Sequence, residues 1–149
     1  MKKIKNSKGF TLMEMLIVVA IIAVLIAIAV PTFSASLNKA RVATDEANIR
    51  SGYASVVADL LTKDRSAETG ATTTTYTYYL MKDGSVAEAT AGDKDYKTLG
   101  NNTTAVMISG VSAGTWTKGK GVIYTVTAQP DGSFEIGINA DGTTPGQGG

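Results

Sequence analysis

The chain has 149 residues and a formal net charge of +1, from 14 basic and 13 acidic side chains, and it contains neither histidine nor cysteine. Without imidazole or thiol it lacks the usual general base, the thiolate nucleophile, the commonest transition-metal ligands and any disulfide. Its length suits one small domain beside a long helix, and its near-balanced charge argues against a general nucleic-acid surface, which needs concentrated cations for phosphate.

Residues 1–9 are basic, with Lys2, Lys3, Lys5 and Lys8 and no acid. From Phe10 the chain becomes apolar, and no polar side chain occurs from Met15 through Val30. At about 1.5 Å per residue, a helix over residues 10–30 is roughly 30 Å long, the thickness of a bilayer's hydrocarbon core. The lysines precede this run and no basic residue follows it until Lys39. A single membrane span with a cytoplasmic N-terminus and an outward-facing remainder is therefore expected. A cleaved secretory signal is the rival reading, but its small-residue site would be Ala27-Ile28-Ala29, which leads into Pro31, and the apolar run is long for such a signal.

Glu14 is the one carboxylate inside the run, and a charge there is costly in hydrocarbon. Two readings are open. Thr11-Leu12-Met13-Glu14 fits a capping box, in which Thr11 and Glu14 satisfy free N–H groups at a helix start. Alternatively, cleavage between Gly9 and Phe10 would create an α-amine that is cationic at neutral pH, and the amine of a neighbouring copy could neutralise Glu14.

These residues carry a family resemblance. The basic leader ending in Gly9, the Phe10 that follows, the acid at Glu14, the apolar helix and Pro31 resemble the class III leader and N-terminal helix of type IV pilins and type II secretion pseudopilins. The resemblance covers about the first third of the chain. It implies cleavage between Gly9 and Phe10 by a prepilin peptidase and N-methylation of Phe10. It also implies assembly into a helical homopolymer through Phe10, Glu14 and Pro31, served by a membrane assembly platform and its cytoplasmic ATPase. The family commonly places Gly within the hydrophobic helix, where this chain has Ala23 and no glycine before Pro31. In related filaments the segment before that proline loses helical hydrogen bonding on assembly, and Pro31 obstructs the carbonyl of Ala27, so a bend or melted stretch is expected there.

After Pro31 the helical pattern continues, with Val42, Ile49, Tyr53, Val56 and Leu60 forming one apolar face. Lys39, Arg41, Asp45, Glu46, Arg50 and Asp59 are placed on the other, solvated faces. Gly52 is the weak point, costing about 1 kcal/mol relative to Ala.

From Thr62 the composition shifts to Thr, Gly, Tyr, Asp and Asn, the pattern of short strands and turns. Strands are predicted over 76–81, followed by a turn at Lys82-Asp83-Gly84, and over 105–108, ended by Ser109-Gly110. A hairpin is predicted from strands 121–128 and 133–138 around Gln129-Pro130-Asp131-Gly132, with one face inward. The stretch 92–104 reads as a surface loop and 141–149 as a flexible tail. Asp131 and Asp141 sit in Asp-Gly turns; local turn chemistry accounts for them, with a hard cation as the alternative. Asn102-Thr103-Thr104 matches a glycosylation acceptor, a pattern short enough to arise by chance. No internal repeat is evident.

The expected fold is α+β, a long N-terminal helix, its first half membrane-spanning, packed by its second half on a small antiparallel sheet. The divisions are a leader over 1–9, a membrane and assembly helix over 10–31, its amphipathic continuation over 32–61, a β-rich domain over 62–140 and the tail. Removing the leader takes away four lysines and leaves 10 basic against 13 acidic side chains, a net of −3. The function implied is a pilus subunit for adhesion, motility or DNA uptake, made at the cytoplasmic membrane and displayed as an extracellular filament. The alternatives are a pseudopilin of a secretion or competence system, or a monomeric membrane-anchored ectodomain. No catalytic residue, cofactor, metal or nucleic-acid partner is expected.

Overall fold

The computed structural model describes residues 9–63, 73–88 and 95–143. Residues 1–8 of the leader, 92–94 of the predicted loop and 144–149 of the tail lie outside the described residues.

Helix α1 runs from Leu12 to Thr62, 51 residues, with Pro31 inside it. In the single chain the helix is continuous through Pro31. Proline removes one intrahelical hydrogen bond, and the helix continues on both sides of it. Two compact units follow along the chain, one ending at Leu37 and the other beginning at Asn38.

In the first unit every large apolar side chain from Phe10 to Val30 is exposed, as are Phe33 and Leu37. Thr32 and Ser36 turn their hydroxyls back onto the carbonyls of Ile28 and Thr32, at 3.0 Å each. The helix therefore stays apolar beyond Val30, because these two polar groups are consumed within it.

In the second unit the strands are β1 Thr74–Leu80, β2 Val86–Glu88, β3 Met107–Ile108, β4 Val111–Ser112, β5 Ile123–Ala128 and β6 Phe134–Asn139. The rest of α1 packs on a four-stranded antiparallel sheet of order β2-β1-β5-β6, while β3 and β4 form a separate ribbon. In β5, Tyr124, Val126 and Ala128 alternate inward, opposite Ile138, Ile136 and Phe134 of β6. The core joins Ile49 and Val56 of the helix to Tyr78, Leu80, Tyr124, Val126, Ile108 and Trp116.

Gly52 is no weak point. It is buried, and a Cβ there would collide with the Tyr124 hydroxyl and lie 2.7 Å from Leu80 Cδ1. Tyr124 uses the space to donate a 2.7 Å hydrogen bond to the carbonyl of Ile49. The missing side chain is what lets Tyr124 reach the helix backbone.

The predicted strand over 105–108 shrinks to two residues. Ser109 and Gly110 both adopt positive φ, 51° and 86°, which closes a tight hairpin pairing Ile108 with Val111. Strand β2 was not predicted; it is three residues long, too short for its alternation to be seen.

A recurrence also emerges. Asp83-Gly84-Ser85, Asp131-Gly132-Ser133 and Asp141-Gly142-Thr143 fold alike, with each glycine at φ near +80°. In each, the Asp carboxylate accepts the backbone N–H two residues on, at 3.0, 2.9 and 2.8 Å, and the hydroxyl of that residue at 2.6 Å. The hydroxyl bonds, the first cause in each case, hold all three carboxyls below their ordinary pKa.

Candidate functional site

The N-terminal segment presents the features singled out in the sequence. Gly9 is exposed with open space around its Cα, and Phe10 is 81% exposed. Thr11 and Glu14 form the capping box: the Thr11 N–H donates to Glu14 Oε2 at 2.8 Å, and the Glu14 N–H donates to Thr11 Oγ1 at 3.2 Å. The free chain thus satisfies the helix start locally, and the box engages only one oxygen of the carboxylate. Downstream, the exposed surface is ridged by Ile and Leu and hollowed at alanines, with shallow apolar depressions beside Ala20 and Ala29. Such a surface suits close packing against other helices. Pro31 lies on the same exposed stretch.

Asp45 departs from expectation. Assigned to a solvated face, it is fully buried. Its Oδ1 accepts the Tyr96 hydroxyl at 2.6 Å and the Leu99 N–H at 2.8 Å; its Oδ2 accepts the Gly100 N–H at 2.9 Å and the Trp116 indole N–H at 3.1 Å. A buried carboxylate is tolerated when its lone pairs are filled in this way. The four donors come from segments far along the chain, so Asp45 ties them to the helix. Burial first, and then the bond to Asp45, push the Tyr96 phenol up to about 12. Nearby, a Cβ on Gly100 would lie 2.9 Å from the Val42 nitrogen, so only glycine lets this loop reach the helix. The signal for Asp45 was available in its spacing: 42, 45, 49, 52 and 56 alternate by three and four, which places Asp45 and Gly52 on the apolar stripe itself.

Asp131 and Asp141 each commit a carboxylate oxygen to their turns. Among the described residues, no group of three or more His, Cys, Asp or Glu could hold a metal. Asn102 closes a local turn, accepting the Thr104 N–H at 3.2 Å and donating to the Thr104 carbonyl at 2.7 Å.

Residues 4–30 match the family model described as the prokaryotic N-terminal methylation motif, a stretch that includes Gly9, Phe10 and Glu14. The N-terminal third of the chain is similar to that of a type IV pilin. It is 48% identical over 52 residues to the type IV narrow pilus major component PilA5 of Thermus thermophilus. That similarity covers 33% of this chain and 45% of the relative's length. No solved structure matches the chain. The long apolar N-terminal helix and the small antiparallel sheet make an α+β fold, consistent with that of type IV pilins.

Proposed function

We propose that this chain is a structural subunit of a type IV pilus. In this reading it is inserted with its N-terminus in the cytoplasm, cleaved between Gly9 and Phe10 by a prepilin peptidase, N-methylated at Phe10, and polymerised through its N-terminal helix by a membrane platform and its ATPase. The observation that supports it most is the fully exposed apolar surface from Phe10 to Leu37, broken by one carboxylate at Glu14, in a chain that carries the methylation motif. Water does not tolerate such a surface as a free end state. A bilayer covers it first and the helices of other copies cover it later. The relative's description as a pilus major component favours a pilus over a secretion pseudopilus. Adhesion, motility and DNA uptake are the roles open to such a filament.

Cleavage turns the Gly9–Phe10 peptide bond into a free Phe10 amine and leaves the Thr11–Glu14 box in place, and the Glu14 oxygen outside that box can accept the amine of an adjacent copy. An ion pair buried among packed helices is strongly destabilised when one partner is lost. The test uses cells whose only copy carries Glu14→Val. Peptide mass spectrometry should find the mature N-terminus at Phe10 in the membrane fraction, while electron microscopy of sheared material should show surface fibres to be rare. Fibres in normal number and length would reduce Glu14 to a helix cap, and a mature N-terminus elsewhere would refute the cleavage assignment.

A further inference from the structure

The three Asp-Gly turns differ at one atom. Asp83-Gly84-Ser85 and Asp131-Gly132-Ser133 close the β1–β2 and β5–β6 hairpins, whereas Asp141-Gly142-Thr143 follows β6, with no strand after it among the described residues. In the hairpins the glycine amide is committed: the Gly84 N–H donates to the Met81 carbonyl and the Gly132 N–H to the Gln129 carbonyl, each at 3.0 Å. Each loop is closed again at 2.9 Å, by the Met81 N–H on the Ser85 carbonyl and the Gln129 N–H on the Ser133 carbonyl. This is the turn followed by a left-handed glycine that suits twisted hairpins. The Gly142 N–H, by contrast, donates to no acceptor among the described residues. Its turn is exposed and held from Asn139, whose Oδ1 accepts the Asp141 N–H at 3.1 Å and whose side-chain amide donates to the Thr143 carbonyl at 2.7 Å.

The amide matters because an Asp-Gly pair carries its own electrophile. The glycine nitrogen can attack the Asp Cγ of the neutral carboxyl: an N–Cγ bond forms, and the nitrogen's proton and the carboxyl's hydroxyl leave together as water. Water then opens the five-membered imide. Where it breaks the bond from nitrogen to the Asp main-chain carbonyl carbon, the chain afterwards runs through Cγ as isoaspartate and carries a free α-carboxylate. One water is lost and one regained, with nothing oxidised or reduced. Glycine favours the attack because no Cβ crowds its nitrogen. An amide bonded inside a closed turn must first be released by local opening. We propose that Asp141-Gly142 is a site of spontaneous isoaspartate formation, and that the hairpin turns protect Asp83 and Asp131 from the same reaction. The carboxylates do not make the difference. Each accepts the same pair of donors, and the charge of Lys120 acts against the neutral, reactive acid at Asp141. A lead at 141 therefore comes from the glycine amide.

The experiment incubates the full chain in detergent and mildly acidic buffer, either folded or in guanidinium chloride, and follows isoaspartate by electron-transfer mass spectrometry of tryptic peptides. No basic residue follows Lys120, so Asp131 and Asp141 are compared within one peptide. In the folded chain isoaspartate should accumulate at 141 about fivefold or more faster than at 131 or 83, the factor that one hydrogen bond on the attacking amide supplies. In guanidinium the three rates should converge, since each site is then an Asp-Gly followed by a hydroxyl residue. Equal rates in the folded chain overturn the proposal, as does a folded chain that forms none at 141 while the unfolded one does. A lead at 141 that persists undiminished in guanidinium overturns it too, because local sequence and not the turn would then be its cause.

Discussion

The two halves of α1 obey opposite rules. Upstream of Leu37 the helix is apolar on every side and buries none of its large side chains; downstream of Asn38 it keeps one stripe, and Asp45, Ile49, Gly52 and Val56 vanish beneath the sheet. The downstream half finds its cover within the chain. The upstream half is exposed among the described residues, and on the proposed function its sequence answers to a bilayer and to other copies. A substitution should therefore be felt in folding on one side of this boundary and in insertion or assembly on the other.

The strongest way to break this division is at Asp45. Asp45→Ala leaves the Tyr96 hydroxyl, the Trp116 indole and two backbone N–H groups without their acceptor, and should cost about 3–5 kcal/mol of ectodomain stability. Denaturant unfolding of the full chain in detergent measures it. Ile22→Ala, at an exposed position of the helix, should move the same transition by less than about 0.5 kcal/mol. Comparable losses would show that the halves are not energetically separate.

Gly52→Ala sharpens the comparison by reversing the usual sign. In an exposed helix the change gains about 1 kcal/mol. Here the new methyl meets the Tyr124 hydroxyl and Leu80 Cδ1, so a loss of about 1–3 kcal/mol is expected from overpacking. Pairing it with Tyr124→Phe removes the obstructing oxygen and should recover part of the loss.

Smaller effects come from pH. The folded Tyr96 pKa, about 12, lies above its ordinary value of 10.0. Its contribution is complete below pH 10 and is lost as pH rises toward 12, because ionisation places a phenolate beside Asp45. Tyr96→Phe should flatten that alkaline limb. At the acid end, Asp83, Asp131 and Asp141 are held below 3.8, so their turns contribute above that pH and lose the contribution as pH falls through the lowered values. These groups are solvated, so replacing all three with Asn should change the acid limb only slightly.

The elements legible in the sequence were those written in local periodicity: the apolar helix, the capping box at Thr11 and Glu14, and the hairpin whose Pro130-Asp131-Gly132 turn has Gly132 at φ 84°. What escaped was long-range. Asp45 looks like any solvated helix carboxylate until its donors arrive from positions 51 to 71 residues away. Gly52 reads as a flaw until Tyr124 is placed above it. The three Asp-Gly turns share a fold but no fixed interval, so a search for periodic repeats passes over them.

Those separations also set a clock. The last of Asp45's donors is Trp116, so the carboxylate cannot be fully enclosed until 71 further residues have been made. At about 5–20 residues per second this is roughly 4–14 s of synthesis. Throughout that interval the second half of α1 can be helical only as an isolated and marginal segment. The arrival of a single indole thus times the closing of the Asp45 site, and the core waits longer still, for Tyr124 and Val126 of β5.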